Sequence, residues 1–342
     1  MHPSSTLMFS EAAEAGAAVA RLKASEGRRL ARVGDRLRAM APHTIVTCAR
    51  GSSDHAATFA KYLIESSTGV PVASAAPSIS SVYGVRPHLE GAVCIAVSQS
   101  GRSPDLLSSV GIAKQGGAYV VALVNDLDSP LAALADEAVD LCAGPEISVA
   151  ATKSYICALA AIVGLVGEWT EDAELRHAFD AAPALLEQAW SLDWSPIVSG
   201  LRDARNLYVV GRGLGLGIAQ EAALKLKETC RLHAEAFSAA EVRHGPMALV
   251  EPGFPVIVLR QDDETGASVD ELVADLAARG AKLMVAGTGP APASELRLLD
   301  APAVLQPMLQ IQSFYRAANA LSLARGLDPD RPPHLAKVTE TV

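Results

Sequence analysis

Glu221, Lys225 and Glu228 are spaced four and three residues apart, so an α-helix would carry all three on one face. A carboxylate one turn from an amine can accept a proton while the amine balances the charge that develops. The same spacing also makes an ordinary exposed salt bridge. His244 follows in His244-Gly-Pro246, a loop where an imidazole is reachable, either as a proton shuttle or simply as an exposed side chain. Two other stretches are rich in small hydroxylated residues: Gly51-Ser52-Ser53 and Ser98-Gln99-Ser100-Gly101-Arg102-Ser103. Pro104 suits the first turn of a following helix, whose free amides and dipole would face the second stretch. Hydroxyls, amides and a helix start together suit a phosphate monoester. The plainer alternative is a capped turn.

The elements that must position these groups can be read from the apolar pattern. Residues 7–40 lack strand signals and predict one or two amphipathic helices. Strands are expected at 44–48, 92–97, 118–124 and, more weakly, 138–142. Helices are expected near 56–65, 104–115 and 154–169, with a polar helical segment leading to Trp194. Continuous apolar strands alternating with helices imply a parallel sheet covered on both faces. Ligands of such sheets bind beyond the strands' carboxyl ends, which is where both serine stretches fall.

The order then returns, with strands at 207–210, 255–259 and 281–286 and helices near 218–230 and 268–279. Setting Arg50-Gly51 on Arg212-Gly213 shifts the chain by 162 residues and also sets Val97 on Leu259. One inserted residue later, Gly117 falls on Gly280. This predicts an internal duplication. The second copy has Arg260-Gln-Asp-Asp-Glu264 where the first has its serines, so only the first copy suits an anion. The acidic run lacks a companion His or carboxylate motif and is expected to be solvated rather than metal-binding. Gly211-Arg-Gly213-Leu-Gly-Leu-Gly217 lacks the correctly spaced third glycine of a dinucleotide fingerprint, and the P-loop pattern is absent.

Composition narrows the classes further. The chain has 342 residues, half of them apolar, and 29 Lys plus Arg against 38 Asp plus Glu, for a net charge of −9. That excludes a disordered chain and argues against nucleic acid as a partner. The longest apolar stretch, 155–167, is well short of the ~20 residues of a spanning helix. No signal-peptide pattern opens the sequence, and the five cysteines are odd in number and widely spaced. A soluble, cytoplasmic protein without a membrane partner is expected.

Taken together, Ser98-Gln-Ser-Gly101, Glu146-Ile-Ser-Val-Ala-Ala-Thr-Lys153, Glu221-Ala-Ala-Leu-Lys-Leu-Lys-Glu228, His233-Ala-Glu235, Glu241-Val-Arg-His-Gly-Pro246 and Leu335-Ala-Lys337 resemble the isomerase half of glucosamine-6-phosphate synthase. That is the double sugar isomerase (SIS) architecture, and the resemblance covers residues 40–342, looking most like the shorter SIS-type glucosamine-6-phosphate deaminases. It implies an α/β fold of two tandem SIS domains, each a three-layer αβα sandwich with a flavodoxin-like parallel sheet. The expected division is a helical segment at 1–40, SIS domains at 41–195 and 196–330, and a tail at 331–342 over the active site.

The resemblance also implies roles. Ser52, Ser53, Ser98, Gln99, Ser100 and Ser103 would hold the sugar phosphate, with Val149 and Ala336 closing the pocket through their backbone. Glu228 would move a proton between C1 and C2, and Lys225 would assist at the substrate hydroxyls or the enediol. His244 would open the sugar ring from the partner subunit of a homodimer. Lys337 would contact the open-chain sugar and could form an imine with a keto sugar. No metal and no organic cofactor is implied. The expected reaction converts glucosamine 6-phosphate to fructose 6-phosphate and ammonia, without glutaminase activity. A fructosamine-6-phosphate deglycase, another phosphosugar isomerase and a non-catalytic SIS sensor of sugar phosphates are the alternatives. Arg50, Arg102 and Ala151 replace a cysteine, an acidic residue and a serine of the synthase pattern; the two arginines are expected to add positive charge near the phosphate.

Overall fold

The computed structural model describes residues 2–287 and 294–337. It contains two compact units, each built on a five-stranded, wholly parallel sheet.

The first sheet holds β1 (Ile45–Cys48), β2 (Val72–Ser74), β3 (Val93–Ser98), β4 (Tyr119–Val124) and β5 (Glu137–Asp140), in the order β2-β1-β3-β4-β5. Every residue of β3 is buried, because helices cover both faces of a central parallel strand. One layer of core joins Cys48, Cys94, Ala96, Val120 and Ala122 of the sheet to Leu106, Val110 and Leu131 of the helices 104–115 and 130–134. The helix Lys153–Thr170 is apolar nearly all round and buried along most of its length.

The second sheet holds β6 (Asn206–Gly211), β7 (His233–Ser238), β8 (Pro255–Leu259), β9 (Lys282–Ala286) and β10 (Ser294–Leu296). Its order, β7-β6-β8-β9-β10, repeats the first. The duplication expected from the 162-residue shift is therefore present in the topology. In each copy the chain adds its second strand on one side of the first and its third on the other, which opens a crevice at that switch point.

Three strands lie outside the sequence expectation. β2 and β10 have only three residues each, and β7 mixes polar with apolar positions, so none offers an apolar run. The helix Gln306–Ala324 is also new. It buries Gln306, Gln310, Gln312, Asn319 and Ser322, and their partners lie in distant segments: Ser322 Oγ donates to Thr229 O (2.7 Å) and Thr6 Oγ1 to Asn319 Oδ1 (2.7 Å).

The compact units are discontinuous in sequence, unlike the contiguous blocks 1–40, 41–195, 196–330 and 331–342. Among the described residues, 2–16, 147–152, 184–287 and 294–335 go with the second sheet; 17–146, 153–183 and 336–337 go with the first. Hydrogen bonds explain the reassignment of 147–152. The buried Glu11 carboxylate accepts from the Ile147 (2.5 Å) and Ser148 (3.1 Å) amides, and Gln312 Nε2 donates to Ala12 O (3.0 Å). The tail beyond Lys337 lies outside the described residues.

Candidate active site

Both serine stretches stand at the switch point of the first sheet. β1 and β3 are neighbours, pairing Cys48 with Ala96, so Gly51-Ser52-Ser53 and Ser98–Ser103 leave adjacent strand ends. Ser52 and Ser53 open the helix Ser52–Thr68, and Ser103 is the N-cap of Pro104–Gln115. Ser103 makes no side-chain capping bond, so the capped-turn alternative fails for this hydroxyl. Ser98 and Ser100 do hold the turn, accepting from the Gly101 (3.0 Å) and Arg102 (3.4 Å) amides. Each keeps its O–H proton for another acceptor. Gly101 sits at φ +64°, and a Cβ there would lie 2.3 Å from Ser129 Oγ. Only glycine fits this corner. Gln99 and Ser100 are half-buried.

The two arginines do not act as the sequence suggested. Arg50 Nε pairs with the buried Asp105 carboxylate at 2.7 Å, and Arg102 pairs with Asp126 at 2.7 Å. Their charge is matched locally, and the Arg102 guanidinium holds the Asp126 carboxyl below the usual range. What the crevice offers an anion is hydroxyls, amides and a helix start. In the same unit, Lys337 Nζ lies 3.4 Å from Oε2 of the buried Glu146, which also accepts from Ser154 Oγ (2.5 Å). Ala336 is exposed.

The second unit carries the carboxylates. Gly215–Cys230 forms one helix, and it brings Glu221, Lys225 and Glu228 together as their spacing requires. Lys225 Nζ is 2.5 Å from Glu228 Oε2 and 3.4 Å from Glu221 Oε1. The exposed salt bridge is excluded by burial: the side chains of Lys225 and Glu221 are 1% and 0% exposed, and that of Glu228 19%. Tyr315 Oη donates to Glu221 Oε1 at 3.0 Å and fixes the inner carboxylate. Burial pulls the Lys225 pKa down, but the two carboxylates outweigh it and hold the ammonium above the ordinary lysine value. Lys225 is thus a permanent cation at neutral pH, suited to stabilising a developing oxyanion. Of the two carboxylates, Glu228 is the reachable one. Tyr315 escaped the sequence reading because its helix did; a phenol 94 residues from its partner leaves no local signal.

His244 is exposed in the turn after the short helix Ala239–Val242. Its loop is pinned on both sides, by Arg243 on Asp275 (2.7 Å) and by Tyr208 Oη on Pro246 O (3.0 Å). Its imidazole makes no hydrogen bond to Glu228 among the described residues. Val149 is half-buried in the segment 147–152. His233 opens β7, at the amino-terminal edge of the sheet rather than beyond the strands' carboxyl ends. In the second copy the switch point is filled. Buried Gln261 packs on Gly215, where a Cβ would meet Gln261 Oε1 at 2.4 Å, and donates to Gln310 Oε1 (3.1 Å). The acidic loop is occupied too: Arg260 pairs with Asp270 (2.7 Å) and with Asp262.

The repeated strand order defines a double α/β protein with two flavodoxin-like parallel sheets. The SIS domain model matches residues 40–166 and 200–290, and the chain belongs to the SIS domain family. It is 36% identical over 313 residues to the glutamine–fructose-6-phosphate aminotransferase [isomerizing] of Thermotoga maritima, a match spanning 86% of this chain and 50% of that one. The chain thus spans about half the length of the curated relatives it matches. A candidate phosphosugar isomerase from Silicibacter pomeroyi DSS-3 superposes with a TM-score of 0.91 at 42% identity, covering 95% of this chain and all of the other. The C-terminal domain of glucosamine-fructose-6-phosphate aminotransferase from Francisella tularensis superposes at 0.86 with 25% identity, covering 96% and 98%. No helix among the described residues is long and apolar enough to cross a membrane.

Proposed function

We propose that this chain is a phosphosugar isomerase that releases ammonia, converting glucosamine 6-phosphate and water to fructose 6-phosphate and ammonia. The observation that carries the reading is the Glu221–Lys225–Glu228 cluster: a buried ammonium beside one half-open carboxylate. The serine loops, as neutral donors at the first switch point, bind the phosphate through dipoles and hydroxyls. His244 opens the pyranose ring by moving a proton between the C1 hydroxyl and the ring oxygen. Glu228 then takes the proton from one carbon of the C1–C2 pair and returns it to the other, through an enediol-type intermediate. Lys225 lowers the cost of the negative charge on the intermediate's oxygen. Lys337 contacts the open chain, and water replaces the C2 amine as ammonia. The active form is a homodimer in which His244 serves the partner's site.

The relatedness to the aminotransferases and the superposition on a candidate phosphosugar isomerase support this class of chemistry. The test is to incubate the purified protein with a panel of hexosamine and fructosamine 6-phosphates, measuring ammonia and ketose phosphate. Fructose 6-phosphate and ammonia in equal amounts from glucosamine 6-phosphate are expected. Interconversion of unaminated sugar phosphates alone would make it a simple isomerase, and binding without turnover a sensor.

A further inference from the structure

At the amino-terminal edge of the second sheet, four arginines meet around a cleft of about 470 Å³, lined among others by Arg202, Arg205, Arg231, Arg325 and Asp203. This is the opposite end of the strands from the switch point: Arg205 immediately precedes β6, and Arg231 stands two residues before β7. Arg325 is spent on the backbone. Its Nε donates to Cys230 O (2.8 Å), and one terminal nitrogen to the carbonyls of Leu201 (3.2 Å), Arg202 (2.6 Å) and Ala204 (3.0 Å). That single side chain meets the carbonyl ends of the helices Ser195–Leu201 and Gly215–Cys230.

Arg202, Arg205 and Arg231 are therefore not needed as caps. All three are exposed, and their guanidinium groups make no hydrogen bond or ion pair among the described residues. On a chain of net charge −9 this is a local excess of cations, against which the lining sets the single carboxylate of Asp203. The backbone supplies an independent observation. Arg231 caps the helix at φ +51°, in the left-handed region where glycine is the ordinary occupant.

We infer that this cleft binds an anion carrying two phosphoryl groups, a diphosphate either free or esterified. Three unpaired guanidinium groups match the roughly three negative charges of a diphosphate near neutral pH, and their planar forks suit phosphate oxygens. The volume falls within the roughly 300–1,000 Å³ of small-molecule sites. A long nucleic acid fits less well, because its flanking phosphates would meet the acidic remainder of the surface. Arg231 stands three residues beyond Glu228, so an occupied cleft would also fix the end of the helix carrying the carboxylates. That regulatory consequence, unlike the binding itself, rests on the function proposed above.

The experiment is calorimetric titration of the full chain with pyrophosphate, inorganic phosphate and adenosine diphosphate. Saturable pyrophosphate binding is expected, with inorganic phosphate weaker by about tenfold or more, as lost charged hydrogen bonds predict. Adenosine diphosphate binding as tightly as pyrophosphate identifies an ester as the ligand, and weaker binding identifies the free anion. Arg205→Gln combined with Arg231→Gly should weaken pyrophosphate by about tenfold or more. Glycine relieves the left-handed backbone, and circular dichroism verifies that the variant is folded. Ser100→Ala should leave this affinity unchanged, which separates the cleft from the serine loops. Undiminished affinity in the arginine variant, its loss in Ser100→Ala, or no saturable binding by the unaltered chain overturns the inference. So does retention of a single-stranded oligonucleotide without pyrophosphate binding.

Discussion

Lys225 lies 2.5 Å from Glu228 on a helix that leaves the lysine 1% and the glutamate 19% exposed. One partner is sealed in protein and the other reaches the surface, so the pair divides into a fixed charge and an accessible base. Glu221, wholly buried and held by Tyr315, keeps the lysine in place from the inner side.

Glu228→Gln retains the shape of the side chain and removes its basicity. It should lower turnover by about 10²–10⁴-fold and slow exchange of the C2 proton with solvent water to the same degree. Proton magnetic resonance in deuterated buffer reads the exchange directly. His244→Ala should slow turnover but spare some exchange, because a fraction of the sugar opens unaided. If the partner supplies His244, a purified heterodimer of the two inactive variants regains activity at one of its two sites. A verified heterodimer as inactive as its parents would place His244 in its own subunit's chemistry or outside it.

Lys225→Met leaves the Glu221 carboxylate buried with no cation beside it. A loss of about 3–5 kcal/mol in unfolding stability is expected from urea titration. Adding Glu221→Gln should recover a substantial part, which distinguishes an uncompensated charge from simple loss of packing. The pH dependence has a definite sign. The Lys225 pKa is raised above the ordinary 10.5 in the folded chain, so its stabilisation is complete below pH 10.5 and disappears as pH rises through the folded value. Stability lost with rising pH in that window should be smaller in Lys225→Met.

Ser100→Ala removes a neutral donor that serves substrate and transition state alike. KM should rise more than kcat falls, and unphosphorylated glucosamine should be a very poor substrate. Equal turnover of the free sugar would reduce the serines to turn residues.

Gly101→Ala forces a Cβ to 2.3 Å from Ser129 Oγ at a left-handed backbone position. The strained conformation alone costs about 1–3 kcal/mol. Thermal unfolding should report that loss, together with a raised KM for the phosphorylated sugar. A variant of unchanged stability and KM would show that the corner rearranges freely.

Several features were settled by the sequence itself, because they depend on local periodicity. Spacings of four and three put Glu221, Lys225 and Glu228 on one helical face wherever that helix packs. Apolar runs ending in serines put hydroxyls at the ends of β1 and β3, and the recurrence at 162 residues announced the second sheet. Sheet order, burial and pairing were decided only in three dimensions. The adjacency of β1 and β3 follows from β2 joining the other side of β1, and β2 is three residues long. The seclusion of Lys225 depends on Glu221 and Tyr315, and Tyr315 belongs to a helix whose buried glutamines disguise it. Arg50 and Arg102 read as free charges until Asp105 and Asp126 were brought against them. Arg202, Arg205, Arg231 and Arg325 are strewn over more than a hundred residues, and only the junction of two helix ends with a sheet edge gathers their charge in one cleft. Contacts across such separations leave no periodic trace, because the chain between them is free to take any path that closes the core.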